Sequence, residues 1–210
     1  MKTNRKLFFT GLFLALTFIS PAQTLTLDQI YGTGLLKTKG IGAIKWLPEG
    51  DAYLTLERND AAKGRDVVQY DAKTGNREVL VPAEKFIPQG EKKALTIASY
   101  KWSEDNSKLL IFTNTRRVWR QNTKGDYWVL DMKSGSLQQL GKGLPEATLM
   151  FAKFSPDAQK VAYVSNLNIY MEDLTTGKIE QITKDGSGNI INGTFDWLYE
   201  EEFDCQDGFR

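Results

Sequence analysis

The 210-residue sequence contains no histidine. A Ser-His-Asp or Cys-His site cannot be assembled from these residues, and a His-rich zinc site is equally excluded. Cysteine occurs once, at Cys205, so no disulfide can close within the chain, even in a compartment that would permit one. A lone Cys with no His to activate it reads as a small buried apolar residue rather than a nucleophile. Neither a metal nor a cofactor is expected.

Also missing is an apolar run long enough to cross a bilayer. The longest, Leu7 to Ile19, has thirteen residues, whereas a hydrocarbon core about 30 Å thick needs about 20. It follows the basic stretch MKTNRK and precedes Ser20-Pro21-Ala22, which together read as an export signal over residues 1–22, cleaved before Gln23. The mature chain, 23–210, is expected to be exported to a periplasm or the extracellular space with no membrane span. No Cys lies near the cut, so no lipid anchor is expected there. Removing Lys2, Arg5 and Lys6 turns 27 basic against 26 acidic residues into a net charge of −2. Nothing suggests a nucleic-acid partner, which would want a clustered basic surface.

What remains has a globular composition, 41% hydrophobic and 25% charged, and a length suited to one domain or to part of a repeat array. Three segments superpose. Each opens on an aromatic residue (Trp46, Trp102, Phe154), passes a turn of Pro, Asp, Glu, Gly or Asn, and enters short runs of apolar residues. Each closes through Asp-x-x-Thr/Ser-Gly, at Asp71 to Gly75, Asp131 to Gly135 and Asp173 to Gly177. Asp can hold the turn backbone, and Gly takes the left-handed position of a tight hairpin without a Cβ penalty. Short strands flank these turns, so each unit is predicted to be a small antiparallel meander. The openings lie 56 and 52 residues apart, near the period of a propeller blade with some inserted loop. The predicted class is all-β, with β-propeller blades built as four-stranded meanders, because a sandwich has no reason to repeat its turn sequence.

Function in such arrays sits where the repeat is broken. The second unit is the longest from opening aromatic to closing Asp, and its extra length includes TRRVWRQNTKG, Thr115 to Gly125. The other break follows Thr183, where KDGSGNIINGTFDWLYEEEFDCQDG stands in place of a further opening aromatic. One insertion is basic and aromatic, the other acidic and aromatic. Like charges 4 Å apart repel by about 4 kcal/mol at an effective dielectric near 20, so Glu200, Glu201 and Glu202 need either solvent or a cation. On the three glutamates alone a solvated acidic face is the simpler reading, and Arg120 beside Arg116 and Arg117 reads as a surface basic cluster.

The run NGTFDWLYEEEF, Asn192 to Phe203, closely resembles the glutamate motif of the dipeptidyl peptidase IV family of serine exopeptidases, and the repeats around it resemble that family's N-terminal propeller. The resemblance implies that Glu201 and Glu202 hold the free α-ammonium of a peptide substrate and that Arg120, after a Trp in an earlier blade's insertion, contacts a peptide carbonyl. Trp197 and Tyr199 are expected to pack and fix the glutamate segment. It further implies a secreted enzyme that removes Xaa-Pro or Xaa-Ala dipeptides from peptide N-termini, with possible homodimers of the full-length parent. The sequence departs from the family's pattern in one respect: no Gly-x-Ser-x-Gly elbow occurs in these residues, so the α/β-hydrolase domain that carries it is expected to be absent from this stretch. The chain is therefore expected to be the N-terminal part of a partial propeller, inactive by itself. A second reading is a stand-alone secreted propeller that holds peptides or serves as a scaffold without cutting.

Overall fold

A computed structural model of the chain describes residues 25–32, 34, 36, 40 and 42–210, so the expected export signal lies outside the described residues. The chain divides into two compact units, residues 1–41 and 42–210. In the first, Asp28–Gly32 forms a π-helical turn. At its start Thr26 and Gln29 exchange side chain–backbone hydrogen bonds of 3.0 and 3.2 Å, which satisfies two donors that a helical start leaves open. Among the described residues no helix is long and apolar enough to cross a membrane.

The second unit is built from three consecutive four-stranded antiparallel meanders, as the repeat requires. Blade 1 holds β1 (Ile44–Trp46), β2 (Ala52–Asn59), β3 (Gly64–Asp71) and β4 (Arg77–Val81). Blade 2 holds β5 (Ser99–Trp102), β6 (Lys108–Val118), β7 (Gln121–Asp131) and β8 (Leu137–Gln139). Blade 3 holds β9 (Leu149–Phe154), β10 (Lys160–Ser165), β11 (Asn168–Asp173) and β12 (Ile179–Gln181). A 3-10 turn, Ala83–Phe86, follows blade 1, and one short helix, α1 (Trp197–Phe203), follows blade 3.

The third and fourth strands of every blade are joined by the same turn. Thr74, Ser134 and Thr176 donate their backbone N–H to Asp71, Asp131 and Asp173 Oδ1 at 2.6, 2.7 and 2.8 Å, and their hydroxyls reach the same oxygens. The following glycines have φ of 73°, 73° and 70°, the left-handed region where a side chain would be strained. These donors, led by the backbone N–H, stabilise the charged carboxylates and hold all three aspartates below the usual range.

Alternation along the strands gives blade 2 two buried faces. Leu109, Ile111 and Leu130 pack with Val67, Val81 and Phe86 of blade 1 and its connection, whereas Leu110, Tyr127 and Val129 pack with Leu149, Val161 and Tyr163 of blade 3. Each fully buried Leu contributes about 1.5–3 kcal/mol, so the inter-blade layers hold the array together.

Two features depart from a simple repeat. Thr115 to Gly125 is not a loop: β6 and β7 each run eleven residues and carry the ladder out to a Val118–Gln121 pair. The start of β7 then crosses to blade 3, with Lys124 opposite Met150 and Gly125 opposite Leu149, so blades 2 and 3 form one continuous sheet. At the crossing, a Cβ on Gly125 would lie 2.5 Å from the Phe112 ring and 2.6 Å from the Thr113 carbonyl oxygen. We expect Gly125→Ala to destabilise the chain by about 1–3 kcal/mol through overpacking, seen as a lower urea midpoint at unchanged m-value.

Candidate functional site

The extended hairpin turns on two residues, Trp119 and Arg120, between the paired Val118 and Gln121. Trp119 has φ of 49°, an outlier for a bulky side chain, which marks a place where surrounding structure holds the backbone against its preference. Upstream, Asn114 is also left-handed, with φ of 46°, and lies within the first register shift of β6, between Thr113 and Arg116. Its amide donates to Asp126 and Glu146 at 2.7 and 2.6 Å, so the bulge is fixed and aims the hairpin tip.

The acidic segment is a helix that begins well and ends against its own dipole. Asp196 caps it by accepting from Tyr199 N–H at 3.1 Å. Glu200 falls in its first turn, but Glu201 and Glu202 lie in its last, where unsatisfied carbonyls already leave partial negative charge and a cation would be favoured. Asp204, with φ of 52°, ends the helix. The following segment folds back onto blade 3. There Lys153 donates to both Asp207 oxygens at 2.8 Å and to the Phe209 carbonyl, and lies 4.0 Å from the Phe209 ring centre.

The structure brings together two of the three predicted ligands. Arg120 Nη1 lies 2.8 Å from Glu201 Oε2, joining the two segments that break the repeat. The Glu201 side chain is only 7% exposed, the Arg120 side chain 73%. Glu202 is exposed and carries no ion pair among the described residues. Tyr199 packs between Phe195 and Phe203, with ring centres 5.7 Å apart on each side, and its carbonyl accepts from Cys205 N–H at 3.1 Å. Trp197 is half exposed. Cys205 is half-buried with its thiol directed at the Phe203 carbonyl, 3.6 Å away, and is not a core residue.

Sequence reasoning did not single out Glu200 as a buried group or Trp119 as a shaping one. Glu200 is 6% exposed, and its Oε1 is buried without a hydrogen-bond donor. Burial first, then the nearby Glu201 and Asp204 charges, pushes its carboxyl upward. Together with Trp119 it lines a cavity of about 400 Å³ between hairpin, blade 3 and acidic segment, whose other walls include Val118, Met150, Val164 and Phe195. A hairpin tip of only two residues, preceded by Val and led by Trp, was the available signal for Trp119. Glu200 left none, because nothing local to the run marks one of three adjacent glutamates as the buried one.

The arrangement presents one carboxylate of low exposure paired with a guanidinium, Glu201, and one open to solvent, Glu202. Among the described residues no group of three or more His, Cys, Asp or Glu is placed to hold a metal ion.

Residues 103–210 match a family model described as the dipeptidyl peptidase IV (DPP IV) N-terminal region. The probable dipeptidyl-aminopeptidase B of Chaetomium globosum is 29% identical over 195 residues, covering 86% of this chain and 21% of the relative. That of Neosartorya fischeri is 34% identical over 154 residues, covering 73% and 16%. Among solved structures, Porphyromonas gingivalis dipeptidyl peptidase 4 superposes with a TM-score of 0.67 at 26% identity, covering 88% of this chain and 25% of that one. The chain thus spans about a fifth of the length of the curated relatives it matches.

Proposed function

Because the chain belongs to the dipeptidyl peptidase IV family, over that family's N-terminal region, we propose that it is the substrate-anchoring part of an exported serine dipeptidyl peptidase. In this reading Glu201 and Glu202 hold the free α-ammonium of a peptide, and Arg120 turns from its partner to the first peptide carbonyl. The enzyme then releases Xaa-Pro or Xaa-Ala dipeptides, because the distance from the ammonium anchor to the nucleophile counts off two residues. With no histidine in these 210 residues, the nucleophile and its base would come from outside them.

The observation that carries the reading is the Arg120–Glu201 pair at 2.8 Å. It unites the extended hairpin and the acidic helix, the two departures from an otherwise regular array, at a carboxylate of low exposure whose neighbour in sequence, Glu202, is open to solvent. Two neighbouring carboxylates gain charge-assisted hydrogen bonds from one ammonium, and an acetylated N-terminus offers no charge to neutralise them. Calorimetry with a Xaa-Pro peptide and its N-acetylated form tests this directly. We expect the free amine to bind at least tenfold more tightly, a difference of about 1.4 kcal/mol. Equal affinities would remove the amine-holding role.

A further inference from the structure

Glu200 is the member of the acidic run to which amine capture gives no task. Its side chain is more than nine-tenths buried, its Oε1 meets no donor, and it faces a cavity walled mainly by apolar groups, including Val118, Trp119, Met150, Val164 and Phe195. The charges around it offer little relief. On its own helix Glu201 and Asp204 are both acidic and Glu202 is exposed to solvent. From the hairpin, Arg120 is already paired with Glu201. Lys124 of β7 lines the same cavity but lies on the exposed side and makes no ion pair with Glu200 among the described residues. A carboxylate with one oxygen sealed from water and given neither donor nor counter-ion holds its proton to higher pH than a solvated one.

We propose that Glu200, facing the apolar cavity with one oxygen unpartnered, holds its proton more tightly in the empty site and gives it up more readily when a cation is captured at Glu201 and Glu202, so that peptide binding and proton release are coupled. The proposal rests on the amine-holding reading above. An ammonium placed beside Glu201 cancels part of the negative potential that opposes ionisation of Glu200, and the proton that leaves passes to the buffer. By linkage the effect is reciprocal: an ionised Glu200 strengthens the hold on the ammonium. Affinity therefore rises with pH through the titration of Glu200, until the peptide's own amine begins to deprotonate near pH 7.7–8.0, its ordinary range. Glu200→Gln, which mimics the neutral acid, binds like the unaltered chain at acid pH. It falls behind as pH rises, by roughly fivefold at the low end of typical couplings.

Valyl-prolinamide is a suitable probe because its α-ammonium is its only titratable group. Calorimetry on the 210-residue chain in buffers of low and high ionisation enthalpy, between about pH 5.5 and 7, measures protons released per peptide bound. We expect fractional release from the unaltered chain and a smaller release from Glu200→Gln, whose affinity is correspondingly less pH-dependent. Equal release from both would overturn the coupling while leaving the amine clamp intact. Failure of the unaltered chain to bind the probe would overturn the clamp and the coupling together. Carboxyl ¹³C NMR of the unaltered chain gives a check that needs no variant. The Glu200 resonance should titrate above the ordinary Glu value of about 4.3 and move down when the probe is added, and a titration at or below that value overturns the proposal.

Discussion

Replacing Glu201 by Gln should lower the affinity for a free-amine peptide by about 30-fold or more and leave the affinity for its N-acetylated form nearly unchanged. Gln keeps the size and one acceptor of Glu but removes the charge that faces the ammonium. Losing one partner of a desolvated charged contact costs about 2–5 kcal/mol, which at 1.4 kcal/mol per tenfold gives that range. The low exposure of the Glu201 side chain argues for the upper part of it, because little water is present to replace the lost charge. The fold itself should be little affected. The partner in the empty site, Arg120, is largely solvated, and a pair with one solvated member contributes little. Glu202→Gln should follow the same pattern with a smaller loss, since Glu202 is exposed until a ligand covers it. Arg120→Ala should weaken free and acetylated peptides alike, because a carbonyl contact does not distinguish them. Near-normal binding of the free amine by both Gln variants would remove the amine-holding role from the acidic run.

The parts of this arrangement that could be read from the sequence are those fixed by local chemistry. Asp71, Asp131 and Asp173 announce the third-to-fourth strand turn because an Asp, a hydroxyl three residues on and a Gly contain every donor, acceptor and dihedral the turn uses. Three such turns at propeller spacing define the blades, and the blades in turn define what departs from them. The helix was harder. Seven residues are too few for a periodic pattern, and Glu201 and Glu202 near its C-terminus oppose the dipole, so local preference argues against the structure adopted. The hairpin hid for a similar reason: TRRVWRQNTKG is polar enough to read as loop, and only its pairing with itself and with Met150 and Leu149 makes it strand. Burial of single polar residues was hidden altogether. Glu200 and Glu172 look like solvent-facing positions in their segments, yet both are covered by residues far away in sequence.

Glu172 carries the second large effect, this time on stability. It is 1% exposed in β11, and its Oε2 accepts from the Gly141 N–H at 2.8 Å and the Tyr163 hydroxyl at 3.1 Å. It therefore ties blade 3 to the segment that leaves blade 2. Glu172→Ala should destabilise the chain by about 3 kcal/mol or more, since each of two buried donors left unpaired costs about 1–3 kcal/mol and a void is added. Glu172→Gln should behave differently, and pH separates the two. Burial pushes the Glu172 carboxyl upward, outweighing the hydrogen bonds from Gly141 and Tyr163 and the nearby Lys142. A raised folded pKa means the folded chain prefers the neutral acid. The stability this provides is complete below the unfolded value near 4.3 and is lost as pH rises through the folded one. The turn aspartates act at the opposite end: their pKa values are lowered, so their contribution is full above about pH 3.9 and lost only in stronger acid. Glu200 adds a shift of the same sign as that of Glu172. Urea unfolding should accordingly show the unaltered chain losing stability as pH rises above the ordinary Glu value of about 4.3, Glu172→Gln losing less, and a Glu172→Gln, Glu200→Gln double variant losing least. A wild-type profile that rises from pH 5 to 8, or one that Glu172→Gln leaves unchanged, would mean that Glu172 is ionised in the folded chain and that its hydrogen bonds outweigh its burial.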